Sequence, residues 1–166
     1  MYEALLLTGV AGVGKSTVAA AAGSVLTKAG HRNAVVDADA LAQFGPSPER
    51  EHFYDELKCA NLAAVWANFR SAGAQYLVVA DSVTTRALYA DSLPDCAIHL
   101  VHLIADDDTV RRRLRQRDTG PKLEQHLRAL LKPASPIDDF TVTNDRPALA
   151  VATEILVRLG WVDRPT

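Results

Sequence analysis

The reading of this chain turns on "GVAGVGKST", Gly9 to Thr17, which follows directly on the apolar run "ALLLT" at 4–8. Eight of its residues fit the spacing G-x-x-x-x-G-K-[ST], and a strand-like segment before and a helical pattern after supply the context that this motif requires. The glycines let the backbone fold tightly, so that the amides of Gly9, Ala11, Gly12, Val13, Gly14, Lys15, Ser16 and Thr17 can gather around an anion. The positive end of the next helix adds favourable potential. Lys15 is expected to reach the outer phosphates of a nucleoside triphosphate, and the Ser16 hydroxyl to ligate Mg2+, a hard cation that prefers oxygen donors.

Outward from this loop the chain alternates. Apolar runs at 4–8, 33–37, 76–81, 98–105 and 140–144 are separated by helical patterns. Such alternation predicts an α/β fold with a parallel sheet covered by helices on both faces. Helices are expected over 15–29, stopped by Gly30, and over 58–72, stopped by Gly73. Further helices are expected over 109–118, started by N-cap carboxylates, and over 122–131, with "KPASP" at 132–136 breaking the pattern. "RPALAVATEILVRLG" at 146–160 reads as a closing amphipathic helix with Pro147 in its first turn.

With 166 residues, 48% of them apolar, and no linker-like tract, the chain is read as a single domain over 1–166. A formal net charge of −2 gives no overall electrostatic reason to expect nucleic acid or a membrane as partner. No apolar run is long enough to span a bilayer and no leader pattern is visible, so a cytoplasmic location is expected. The two cysteines, Cys59 and Cys96, lie far apart and outside any metal-type spacing, which reads as reduced thiols.

In an open parallel sheet ligands collect at the carboxyl ends of the strands. Asp37 and Asp39 in "VVDADAL" sit there, Asp39 placed to take a proton from an acceptor hydroxyl and Asp37 to order the magnesium. Asp81 closes "YLVVAD" and is a second metal candidate; the sequence does not rank it against Asp37. Five arginines fall within "RRRLRQR" at 111–117. Helical spacing puts Arg113 and Arg117 on one face, where they would stabilise charge on a transferred phosphoryl group, and Val110 and Leu114 on a packing stripe. The loop "FGPSPERE" at 44–51, with Phe44 and the following Phe53, is expected on the acceptor side. His99 and His102 read as strand-packing or surface histidines.

Together these residues resemble the small P-loop kinases, the group of adenylylsulfate, shikimate, gluconate and nucleoside monophosphate kinases. The run from Gly9 to Leu41 is similar to the phosphate loop, first helix and D-x-D turn of adenylylsulfate kinases without a gap. This resemblance implies a three-layer P-loop NTPase fold with a five-stranded parallel sheet, and an arginine-bearing lid over about 108–135. It also implies that Asn144, Arg146 and Pro147 in "TNDRPA" contact the adenine, and that Arg86 is a substrate-side arginine. The chain departs from adenylylsulfate kinases just after the D-x-D turn, where it has "ALAQF", and from nucleoside monophosphate kinases in "DSVTTR" after the third strand.

The expected activity is therefore a Mg-dependent kinase that moves the γ-phosphate of ATP to a hydroxyl or phosphate of a small-molecule acceptor. A regulatory ATPase module and a polynucleotide-end kinase are the alternatives.

Overall fold

The computed structural model describes residues 1–131 and 138–165. Five strands form one sheet: β1 (Tyr2–Thr8), β2 (Asn33–Asp37), β3 (Tyr76–Ala80), β4 (Cys96–Ile104) and β5 (Phe140–Thr143). Their order is β2-β3-β1-β4-β5 and every pairing is parallel. The central strand β1 is buried on both sides, which is why "ALLL" reads as an unbroken apolar run rather than an alternating one.

Alternation along the strands divides the side chains between two layers. Leu5, Leu7, Val78, Ala80, Val101 and Leu103 face the layer closed by helices α1 (Lys15–Lys28) and α6 (Ala148–Arg158). Ala4, Leu6, Leu77, Val79 and Leu100 face the layer closed by α2 (Phe53–Ser71) and α3 (Arg86–Ser92). Leu5, Leu6 and Leu7 are all 0% exposed. Each such leucine contributes roughly 1.5–3 kcal/mol of burial, so three in a row make β1 the main anchor of both layers. Trp66 on α2 lies in this second layer edge-on to Tyr2, 5.6 Å between centroids, as a core residue.

Two further helices, α4 (Asp107–Arg117) and α5 (Gly120–Ala129), follow β4. The Asp106 carboxylate caps α4 by accepting from the Thr109 amide at 2.8 Å, as expected of an N-cap aspartate. The predicted break at 132–136 and the far end of the expected lid lie outside the described residues. Helix α2 begins five residues before the expected start at 58, because Asp55 and Glu56 fill its first turn and favour its positive end. Helix α3 is not foreseen; its seven residues are too few to display a helical period. Pro147 precedes α6 as its N-cap instead of lying in the first turn. No helix among the described residues is long and apolar enough to cross a membrane.

Candidate active site

The loop between β1 and α1 is shaped by backbone that other residues would not accept. At Gly9, with φ of 148°, an added Cβ would lie 2.6 Å from the Leu103 carbonyl oxygen of β4. At Gly14, with φ of 103°, it would run into the Asn144 side chain. Both positions combine a left-handed backbone with a close neighbour, so a substitution strains the loop twice. The loop is braced from the far end of the chain as well: Asn144 Nδ2 donates to the Val13 carbonyl at 2.7 Å. Arg113, on α4, donates to the same oxygen at 3.2 Å.

Lys15 folds back on the loop and donates to the carbonyls of Gly9 at 2.7 Å and Val10 at 3.1 Å. Burial pulls its pKa below the ordinary value, against the opposing charges of Asp39 and Asp81. The Ser16 hydroxyl donates to Asp37 Oδ2 at 2.6 Å, and Asp37 Oδ1 accepts from the Asp39 amide at 3.2 Å. That second bond caps the short 3-10 helix Ala38–Ala42 and turns the chain between the two aspartates. Ser16 and Asp37 thus offer two hard oxygen ligands beside the loop, a donor set that fits Mg2+ completed by phosphate oxygens and water. Among the described residues no group of three His, Cys, Asp or Glu side chains forms a metal cage.

A cleft of about 1060 Å³ opens above the strand ends. Its walls include the loop residues Gly9, Ala11, Gly12, Gly14, Lys15, Ser16 and Thr17, together with Asp39, Ser82, Thr84, Arg113 and Arg117. Val13 stands apart: its side chain is 0% exposed in the core, and its carbonyl is taken by Asn144 and Arg113. Lys122 and His126 of α5, His102 of β4 and the carboxylate of Asp138, 3.8 Å from the His102 imidazole, also line it.

Several expected site residues are engaged elsewhere. Asp81 is 1% exposed, and its carboxylate accepts from Lys58 Nζ at 2.8 Å, from the Ser82 amide at 2.7 Å and from the Tyr89 hydroxyl. Burial pushes this carboxyl up against the pull of Lys58. With both oxygens engaged it has no ready site for the metal, and Asp37 is the aspartate beside Ser16. Arg86 forms a forked pair with Asp139, at 2.7 and 3.2 Å, and donates to the Ile98 carbonyl at 2.5 Å. It braces β4 and is not among the residues that line the cleft.

Asn144 is 7% exposed and donates its side-chain amide to the Val13 carbonyl of the phosphate loop. Arg146 pairs with Glu154 and Asp145 outside the cleft walls. Phe44 and Phe53 stack on each other, 5.3 Å between centroids, beyond Asp39. Neither contributes to the cleft walls.

Lys122, His126 and their shared carboxylate Asp118 are not singled out by the sequence, and His102 reads there as a strand-packing or surface histidine. His102 enters the site through the sheet register, which sets it opposite Thr8, the residue before the loop. No spacing rule marks the other three.

A parallel sheet carrying a glycine loop between its central strand and the next helix, with Lys, Ser and Asp side chains gathered at that point, defines a P-loop nucleotide-binding domain. The family model described as "AAA domain" matches residues 5–130, and the chain belongs to that family. No curated protein sequence matches it. Among solved structures, the APS kinase of Mycobacterium tuberculosis in complex with AMPPNP and APS is 21% identical, covering 96% of this chain and 98% of its own, with a TM-score of 0.68. The tunicamycin resistance protein of Deinococcus radiodurans is 20% identical over 100% of both chains, with a TM-score of 0.65. A sugar kinase from a Janibacter species is 19% identical, covering 98% of this chain and 96% of its own, with a TM-score of 0.63. The fold is thus the one shared with small P-loop kinases.

Proposed function

We propose that this protein is a cytoplasmic, Mg-dependent kinase that transfers the γ-phosphate of ATP to a hydroxyl or phosphate of a small molecule. The observation that carries this reading is one cleft shared by the phosphate loop, Asp39 and the arginines of α4. A site that only held nucleotide has no need of a carboxylate aimed at its rim, whereas phosphoryl transfer needs one to orient or deprotonate the acceptor. The kinase neighbours in fold space support the same class.

Bound Mg2+ would supply a counter-charge for the phosphate oxygens, held by Ser16 with Asp37 beside it. Lys15 and the loop amides bind the phosphates. Asp39 holds the acceptor hydroxyl and takes its proton. Arg113 and Arg117 reach the cleft from α4 and stabilise the charge that gathers on the transferred group. Asn144 keeps the loop in shape from below.

The test is ADP release across a panel of nucleosides, sugars and aminoglycoside-like acceptors, comparing the wild type with Asp39→Asn. Loss of a general base lowers the rate by about 10²–10⁴-fold. Equal rates with the best acceptor remove Asp39 from that role. ADP release indifferent to every acceptor turns the reading to a regulatory ATPase, and salt-sensitive oligonucleotide binding turns it to a polynucleotide-end kinase.

A further inference from the structure

On one face of the sheet the side chains change character at a single row. Leu6 of β1 and Leu100 of β4 are register partners in the core under α2 and α3. Residues two apart on a strand share a face, so the next row on that side holds Thr8 and His102, again partners, and then Thr141 of β5. Thr8 and His102 line the cleft.

Most polar groups of this row already have partners. The Thr8 hydroxyl accepts from the Val83 amide at 3.0 Å. The Thr141 hydroxyl donates to Asp138 Oδ2 at 3.1 Å, and Asp138 Oδ1 stands 3.8 Å from His102 Nδ1. That separation is too long for a hydrogen bond, yet short enough for the carboxylate charge to favour a proton on the nitrogen that faces it. A neutral imidazole with its N–H at Nδ1 keeps a lone pair at Nε2. Nε2 has no hydrogen-bond partner among the described residues, although the His102 side chain is only 17% exposed. A shielded acceptor on the wall of a cleft calls for a donor from the occupant of that cleft.

Asp39 lines the same cleft from the other side of the phosphate loop. It follows β2, whereas His102 belongs to β4, and in the order β2-β3-β1-β4 the two strands are three spacings apart, about 14 Å of backbone. The two side chains therefore meet different atoms of whatever bridges them.

Resting on the kinase reading above, we infer that His102 is an acceptor contact: its Nε2 accepts a hydrogen bond from a hydroxyl or N–H of the acceptor other than the hydroxyl held by Asp39. Asp138 is the positioning residue, which fixes the tautomer that leaves Nε2 free to accept. The acceptor is recognised at two separated points, and the second reads a neutral donor.

The first measurement needs no acceptor. At about pH 8.5, where an ordinary imidazole is neutral, nitrogen–proton NMR spectra show which ring nitrogen of His102 carries the proton, the resonances being assigned with His102→Gln. The Nδ1–H form is expected in the wild type and a shift toward Nε2–H in Asp138→Asn. An Nε2–H ring in the wild type, or the same tautomer in both proteins, overturns the role of Asp138.

The second measurement fills the phosphate loop with magnesium and a non-hydrolysable ATP analogue, then titrates in adenosine, glucose and kanamycin separately. At least one of the three is expected to move His102 Nε2 in a saturable way. That compound binds about fivefold more weakly to His102→Ala, as for the loss of one hydrogen bond, and His102→Gln, whose side-chain carbonyl can accept, recovers part of the loss. Affinity for the ATP analogue and the unfolding midpoint stay unchanged in both variants. An Nε2 resonance that none of the three compounds moves, or equal affinity in His102→Ala, overturns the inference and leaves the kinase reading standing. Failure of the analogue to bind at all overturns the kinase reading, and this contact with it.

Discussion

Two strands of this sheet end in an aspartate, and the two carboxylates have opposite fates. Asp37, the last residue of β2, is exposed and accepts from the Ser16 hydroxyl at 2.6 Å, beside the phosphate loop. Asp81, after β3, is 1% exposed and sealed between Lys58 of α2 and Tyr89 of α3. In sequence the two look alike, a short β-branched run followed by Asp. What separates them is the helix that each meets: α1 brings a neutral hydroxyl to Asp37, while α2 brings a cation to Asp81. A strand-end carboxylate is available for chemistry only when its neighbour leaves lone pairs free.

Three substitutions sharpen this contrast. The largest effect is expected at Lys58→Met, which leaves the Asp81 charge buried without its partner. Losing one side of a buried pair costs about 3–5 kcal/mol, read as a lower urea midpoint. A midpoint within error of the wild type means that Tyr89 and the Ser82 amide suffice for Asp81. Next comes Asp37→Asn. Its magnesium-nucleotide affinity, measured by calorimetry, should fall about 10–100-fold with unfolding unchanged, as for other groups that orient a metal ligand. Unaltered affinity would return the metal role to another carboxylate. The smallest effect is expected at Arg86→Gln: the half-exposed pair with Asp139 is worth up to about 1 kcal/mol, and the acceptor KM should not move. A tenfold rise in KM would place Arg86 on the substrate after all.

The division between what the sequence discloses and what it hides follows chain separation. The sheet, its parallel sense and the helices on both faces were legible because hydrophobic period and glycine stops are local features, and β2 was bounded correctly at 33–37. The phosphate loop was legible for the same reason, since its geometry is written within nine residues. The pairing of Asp81 was not legible, because its partner Lys58 lies 23 residues away and no local pattern records it. Arg86 and Asp139 are 53 residues apart, Asn144 and Val13 131 apart. In each case a polar side chain at a plausible site position had been claimed by a partner that only the folded sheet brings near. Asp118 was passed over for a related reason: a carboxylate after an arginine run reads as charge balance until α5 turns back and presents His126 to it.

The posture of Lys15 carries one more consequence. Its ammonium is already satisfied by the carbonyls of Gly9 and Val10, so an incoming group must compete with two backbone acceptors to draw it away. A phosphate adds the attraction of opposite charges to its hydrogen bonds, so it competes for the ammonium better than a sugar hydroxyl, an amide or water. On the kinase reading proposed above, the loop is then a threshold for charge, released by an anionic group and held shut against a neutral one.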